Sequence, residues 1–302
     1  MHDPHTKLSL RISRLAGETA SLVAVDIGNS QMKLGQFARQ NKSAAPPADA
    51  TSLPEPIATL ELPIVHKTGL FDLKLLAAWC EQHLSPDTHW SIGSVHRGAG
   101  SLLAATIAAW AKQLKIEWPT RTLTYQDVPL TIRVEEPARV GIDRLLAAVA
   151  ANRLRAPDRA AIVVDLGTAI TVDLVEADGA FAGGAILPGI GMAGRALAEQ
   201  TDALPHVVLE HAEAPPTPPG KSTTAAIQAG LYWGAVGAVG ELISRLSAGL
   251  PTQPDVFITG GAARAVADSL EQRRVQFVPH LVLAGIALLD GAAPGGSRGL
   301  TH

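Results

Sequence analysis

One cysteine, Cys80, stands in 302 residues. Its isolation excludes an intrachain disulfide and any cysteine-based zinc site. It closes the apolar run Leu75 to Cys80 and reads as a buried thiol rather than a nucleophile. This usage fits a reducing, cytoplasmic setting. Aromatic residues are also scarce, at 4%, which leaves few platforms for stacking single-stranded bases. No excess of basic charge exists, since the formal net charge is −3, so no global field favours nucleic acid. No apolar run approaches the roughly 18 residues of a membrane span. The first 20 residues lack the apolar stretch of a signal peptide. The ten histidines form no H-E-x-x-H pattern, and His96 and His280, which flank strands, read as structural.

What is present is an ample aliphatic core, with 47% hydrophobic residues. The length predicts roughly two domains. Residues 1–21 read as an N-terminal extension. Leu22 to Asp26 predicts a buried strand, Asp26 to Ser30 a turn, and Met32 to Phe37 a second strand. Residues 41–56, rich in Ala, Pro and Ser, read as a loop. Helices are expected at Leu70–Leu84, Leu102–Leu114 and Leu145–Leu154, with a strand at Trp90–Val95. The opening pattern then returns. Ala161 to Asp165 is a strand ending in an acid, Leu166-Gly167-Thr168 a turn, and Ile170 to Val175 the next strand. Gly179–Leu187 predicts a further strand, Gly194–Gln200 and Thr223–Leu246 helices, and Val256–Ile258 a strand. Residues 212–220 read as a Pro-rich loop and 291–302 as a flexible tail. The two Asp-x-Gly turns lie 139 residues apart, as an ancient duplication would leave them. The expected halves are 22–140 and 141–290.

The chemistry starts at these turns. A strand ending in Asp, followed by Gly and Asn or Thr, places a carboxylate at the strand tip. The glycine lets the backbone approach a ligand closely. Small polar side chains and backbone N–H groups can hold phosphate oxygens, and the carboxylate can hold a hydrated metal. A plain hairpin turn is the alternative for a single copy; two copies after buried strands favour the phosphate reading. Gly141-Ile142-Asp143-Arg144 opens an Ala-rich helix. A carboxylate there can act as general base and the guanidinium can fork onto an anionic substrate. From spacing alone, simple helix capping by Asp143 is the favoured reading.

Two patterns mislead. Gly189-Ile190-Gly191-Met192-Ala193-Gly194 matches the dinucleotide fingerprint G-x-G-x-x-G. However, it follows the third strand of a meander rather than the first of a βαβ unit, and reads as a close-packed turn, with a dinucleotide site as the minor alternative. Gly220-Lys221-Ser222 resembles the end of a phosphate loop, but Pro215 stands where its partner glycine belongs. Thr259-Gly260-Gly261-Ala262 fits either a loop under a nucleoside or a tight turn.

Taken together, these motifs make the chain resemble the type III pantothenate kinases, within the superfamily of acetate and sugar kinases, heat-shock ATPases and actin. The likeness runs from about Leu22 to Leu289. It is carried by Asp26 to Lys33, Gly141 to Arg144, Val164 to Thr171, the block Gly183 to Gly189 with Ala196-Leu197 and Leu204-Pro205, Gly220 to Thr223, and Ile258 to Ala262. The resemblance implies an α/β fold of two related ribonuclease H-like (actin-like ATPase) halves with mixed sheets and a nucleotide cleft between the halves. It implies ATP-dependent phosphorylation of pantothenate to 4′-phosphopantothenate, the first step of coenzyme A biosynthesis.

By position, Asp26, Ile27, Gly28, Asn29, Ser30, Lys33 and Thr168 would bind ATP with Mg2+. Asp165 would hold a monovalent cation, K+ or NH4+. Gly141, Ile142, Asp143, Arg144 and Thr223 would bind pantothenate, with Asp143 as catalytic base. A cytoplasmic homodimer with the substrate site at its interface is implied, without nucleic-acid or membrane partners. One position departs. The family commonly carries a tyrosine seven residues before Gly141, where this chain has Val134. Two rival readings are a non-catalytic accessory protein on the same scaffold and a kinase of another small molecule. The intact Asp26, Asp143 and Asp165 oppose the first rival.

Overall fold

The computed structural model describes residues 21–39, 52–209, 215–273 and 275–291. The extension 1–21, apart from Ser21, and the tail beyond 291 lie outside the described residues. So does most of the loop 41–56, whose described part, 52–56, has no regular structure.

The first sheet has the strands β1 (Ser21–Ile27), β2 (Gln31–Ala38), β3 (Ala58–Pro63), β4 (His89–Ser94) and β5 (Thr120–Thr122), ordered β3-β2-β1-β4-β5. The β1–β2–β3 meander is antiparallel, and β4 and β5 join in parallel. The helices α1 (Leu73–His83) and α2 (Arg97–Leu114) make the parallel crossovers. Alternate residues of the sheet, among them Val23, Val25, Ile27, Leu34 and Ile92, pack with Leu76, Leu103 and Ile107 of these helices.

The second sheet has β6 (Ala161–Leu166), β7 (Ala169–Val175), β8 (Phe181–Pro188), β9 (Asp255–Thr259) and β10 (Val275–Phe277). Its order, β8-β7-β6-β9-β10, and its strand directions repeat those of the first. Here α4 (Ile190–Glu199), the long α5 (Thr223–Ser247) and the short α6 (Ala263–Ala267) connect the strands. Tyr232, Val236, Val239 and Ile243 of α5 cover Ile162, Val164, Val172 and Ile258. Each sheet therefore follows the strand–strand–strand–helix–strand–helix–strand pattern of a ribonuclease H-like unit. The expected duplication is a duplication of topology.

Two helices complete the chain, α3 (Ile142–Leu154) and α7 (Leu281–Gly291). The packing divides the chain in a more interleaved way than a single border between 140 and 141. One unit takes the described residues up to Pro129, Val140–Leu146 and those from Val282 onward. The other takes Leu130–Arg139 and Ala147–Leu281. The reason is α7, which carries residues 282–290 back to the first unit. A β-carbon on Gly285 would lie 2.1 Å from the carbonyl oxygen of Leu146, so α7 meets the start of α3 backbone to backbone.

Element boundaries also shift. α1 starts at Leu73 because Asp72 accepts the N–H groups of Lys74 and Leu75 at 2.8 and 3.1 Å. α2 starts at Arg97 rather than Leu102, because His96 and not a later residue caps it. α4 starts at Ile190, capped by Gly189, so it contains most of the residues read as a turn.

The backbone contact at Gly285 gives a direct test. Gly285→Ala should lower unfolding stability by at least about 2 kcal/mol, because the helices must separate to admit the methyl. Urea unfolding monitored by circular dichroism checks this, and an unchanged midpoint would contradict the packing.

Candidate active site

In the first unit, Asp26 is the penultimate residue of the central strand β1. Lys33 stands directly opposite on β2, and Gly93 beside it on β4. Directly opposed residues share a face, so the Lys33 ammonium and the Asp26 carboxylate stand on one side of the strand tips. The turn beyond is closed by the Gly28 N–H donating to the Gln31 carbonyl at 2.9 Å. Asn29 and Ser30 are exposed at its apex, and Lys33 is half-buried.

Leaving β4, the Val95 N–H donates to the Ile27 carbonyl at 2.9 Å, which stitches the two strand ends together. Val95 in turn borders the Gly141 turn. A β-carbon on Gly141 would lie 3.6 Å from Val95 Cγ1 and only 2.4 Å from Asp143 Oδ1. No other residue fits at 141 while the Asp143 carboxylate keeps its place. That carboxylate accepts the Arg144 N–H at 2.9 Å. The same N–H also donates to the Gly141 carbonyl at 3.1 Å, so the carboxylate shares a donor within the first turn of α3 and does not occupy the cap position. Burial pushes the Asp143 carboxyl above the usual carboxylate range. The hydrogen bond from the Arg144 N–H and the nearby Arg144 charge pull it back only in part.

In the second unit, Asp165 is the penultimate residue of β6, with Thr171 opposite on β7 and Thr259 beside it on β9. The turn closes with the Gly167 N–H donating to Ala169 O at 3.1 Å. Two loops press on it. Gly260, at φ +101°, passes so close that a β-carbon there would lie 2.4 Å from Asp165 Oδ1. Gly189 donates its N–H to Thr168 O at 3.1 Å, and a β-carbon on it would lie 2.4 Å from the carbonyls of both Gly167 and Thr168. Of the three glycines in the G-x-G-x-x-G pattern, Gly189 is required by this packing, while Gly194 lies against the Val207 carbonyl. Thr259 to Ala262 reaches the β6 tip.

Thr223, the first residue of α5, is exposed. Ser222 caps the helix, its hydroxyl accepting the Ala225 N–H at 3.2 Å. Gly220 lies against the backbone of Ala225 and Ala226. Gly220-Lys221-Ser222 is accordingly a capped helix start rather than a phosphate loop. Of the expected site residues, Asp26, Ile27, Gly28, Asn29, Ser30, Lys33, Gly141, Ile142, Asp143 and Arg144 belong to the first unit, and Asp165, Thr168 and Thr223 to the second.

Among the described residues, no group of three or more His, Cys, Asp or Glu is placed to hold a metal. The single carboxylate at the β1 tip would suit Mg2+ that keeps its waters and shares substrate phosphates, and not a cage built wholly from protein.

The model of the type III pantothenate kinase family matches residues 22–245. The chain belongs to this family. The type III pantothenate kinase of Rhodopirellula baltica is 37% identical over 278 residues, 89% of this chain and 97% of that one. That of Nitratidesulfovibrio vulgaris is 33% identical over 277 residues, 89% and 96% of the two chains. Among solved structures, an activator of 2-hydroxyisocaproyl-CoA dehydratase from Clostridium difficile aligns with a TM-score of 0.45 at 11% identity, covering 90% of this chain and 94% of that one.

Val134 stands where the resemblance leads one to expect a tyrosine. The segment before it adds to the edge of the second sheet. Arg133 N–H donates to Phe181 O at 2.8 Å, and Phe181 N–H donates to Thr131 O at 2.9 Å. The Arg133 guanidinium also clasps Glu176 and Asp178. Val134 then lies over Gly183, which sits at φ +89°; a β-carbon there would come 3.3 Å from Val134 Cγ1.

The raised Asp143 carboxyl carries a consequence for stability. The folded chain holds this proton more tightly than the unfolded chain. Folding stability is therefore lost as pH rises from the ordinary carboxylate range through the raised value. Asp143→Asn removes a desolvated charge, so the variant should melt above the parent near pH 7. That gap should close in acid, where both side chains are neutral. Identical melting curves at both pH values would show that the carboxyl is not desolvated.

Proposed function

We propose that this kinase transfers the terminal phosphoryl group of ATP to the primary hydroxyl of pantothenate with Asp143 as general base. The observation that carries the reading is the desolvated Asp143 carboxylate, tied through Gly141 and Val95 to the tip of an Asp-ended strand. A base with raised proton affinity is better matched to taking a proton from an alcohol near neutral pH than an ordinary carboxylate is. As the hydroxyl oxygen bonds to phosphorus, its proton passes to Asp143. The bond from phosphorus to the bridging oxygen breaks, and ADP leaves. Phosphoryl transfer depends on position and charge neutralisation more than on covalent help.

Asn29, Ser30, Lys33 and Thr168 are assigned to the ATP phosphates, with Ile27 and Gly28 shaping the first turn. Asp26 is assigned to Mg2+ and Asp165 to K+ or NH4+; these cations supply the positive charge that phosphoryl transfer needs. Arg144 is assigned to the pantothenate carboxylate, whose planar shape a guanidinium matches. Gly141, Ile142 and Thr223 line the same substrate.

A homodimer is part of this reading. The second unit exposes Ile186, Met192, Val208 and Trp233. Gly230, Gly234 and Gly237 repeat along α5 with open space where a β-carbon would stand. Exposed apolar side chains and a run of small residues along a helix are features suited to contact with a second copy. No helix among the described residues is long and apolar enough to cross a membrane. A buried, unpaired Cys80 and ATP as donor fit a cytoplasmic enzyme.

Coupled ADP release with pantothenate, Mg2+ and K+ tests the reaction. Turnover should require pantothenate, fall when Na+ replaces K+, and fall by at least about 100-fold in Asp143→Asn while ATP still binds. Absence of pantothenate-dependent turnover at saturation would overturn the assignment. At position 134, Val134→Tyr restores a hydroxyl beside Gly183. It should lower the KM for pantothenate by about three- to tenfold, the worth of one hydrogen bond. An unchanged or higher KM would show that this pocket is built around valine.

A further inference from the structure

We infer that His96 is a positioning residue for the ATP phosphates, acting through the loop 64–70 on the turn between β1 and β2. The inference rests on the assignment of Asn29 and Ser30 to those phosphates. His96 uses both ring nitrogens. Nδ1 accepts the Ala99 N–H at 3.2 Å and so caps α2. Nε2 lies 2.9 Å from the His66 carbonyl oxygen. A nitrogen accepting at Nδ1 leaves the proton on Nε2, where the carbonyl needs a donor. One neutral tautomer serves both bonds.

The loop that His96 holds is compact. Val65 N–H donates to Leu70 O, and Gly69 N–H to Val65 O, both at 2.8 Å. Gly69, at φ +73°, lies flat on the α2 start: a β-carbon there would sit 2.6 Å from the Ala99 nitrogen and 3.1 Å from His96 Cε1. The far side of the loop touches the phosphate turn. Ile64 N–H donates to Ser30 O at 2.9 Å, and His66 Nδ1 lies 3.4 Å from Asn29 O. The residue before His96, Val95, is bonded to Ile27 just before the turn. Both anchors of the turn therefore converge on the Val95-His96 step.

The mechanical consequence follows from peptide planarity. In a trans peptide the C=O and the following N–H point in opposite directions. Holding the Asn29 carbonyl toward the loop aims the Ser30 N–H away from it. Holding the Ser30 carbonyl does the same for the Gln31 peptide plane. A turn fixed from behind presents its donors without first paying to order them.

The test separates the two nitrogens. In His96→Asn the short amide keeps an acceptor near Nδ1, so α2 stays capped, but the donor at Nε2 is gone. In His96→Gln the longer amide places a donor near Nε2 and the cap is lost. His96→Asn should raise the KM for ATP by about three- to tenfold with the KM for pantothenate and the melting temperature near parent values. His96→Gln should melt lower and keep the KM for ATP near that of the parent. A parent-like KM for ATP in His96→Asn would overturn the inference. So would a rise in the KM for ATP that tracks the loss of melting temperature across both variants, the mark of a purely structural residue. Should His96→Asn not fold, a raised KM for ATP in His96→Gln would overturn it equally. Asn29→Ala distinguishes the underlying assignment. If it raises the KM for ATP while His96→Asn does not, only the role of His96 fails. If Asn29→Ala leaves the KM unchanged, the assignment of the turn itself fails.

Discussion

A carboxylate at the end of a buried strand is costly unless something positive or polar meets it. This constraint shapes both sheets around Asp26 and Asp165. In each sheet the acid is the penultimate residue of the central strand, which has an antiparallel neighbour on one side and a parallel one on the other. At that position each strand is still paired on both sides, so the carboxylate is held in a fixed place one residue from the strand end. The residues on either side of the acid are apolar and enclosed: Val23, Val25 and Ile27 in one copy, Ile162, Val164 and Leu166 in the other. The rigidity of the strand fixes the carboxylate.

The glycines of the motifs follow from what must pass close to these acids. Gly141 clears the Asp143 carboxylate and Gly260 clears that of Asp165, each with only 2.4 Å to spare for a β-carbon. Gly189 does the same for the carbonyls of the second turn. Such contacts are closer than any side chain tolerates. Gly189 and Gly260 bring separate stretches of sequence to the tip of β6, which is why these short motifs stand far apart along the chain. A substitution at any of them would act by moving a carboxylate or a turn, without removing a chemical group.

The sequence displayed the central features plainly, because a buried strand ending in Asp-x-Gly combines two independent signals. The Gly141–Arg144 segment was legible as a helix start, whereas the dinucleotide-like glycines, read as a turn, lie mostly inside α4. Other elements gave no such signal. The edge strands β5 and β10 are three residues each, and every residue of β5 is exposed, so no alternation could develop. α7 is apolar on all sides, with Leu281, Leu283, Ala284, Ile286 and Leu289 all buried, and an apolar run carries no helical period. Its return to the first unit depends on the fit of Gly285 to Leu146, which no local pattern encodes. The start of α2 was hidden by Gly98 and Gly100, poor helix formers that the His96 cap and the bonds around Ser94 outweigh. His96 itself looked inert, since its two partners, at residues 66 and 99, are brought to it only by the fold.

Val134 shows how a family position can change without disturbing its frame. The segment before it is held by two backbone hydrogen bonds to Phe181 and by the grip of Arg133 on Glu176 and Asp178. None of these bonds involves the side chain at 134. They set the path of the chain whether valine or tyrosine follows, and Gly183, at positive φ, leaves room above itself for either to begin. Exchanging valine for tyrosine at 134 therefore changes the side chain that the segment presents while leaving its backbone where it is. The Asp-x-Gly turns are not in that segment, so their closing hydrogen bonds do not depend on the residue at 134.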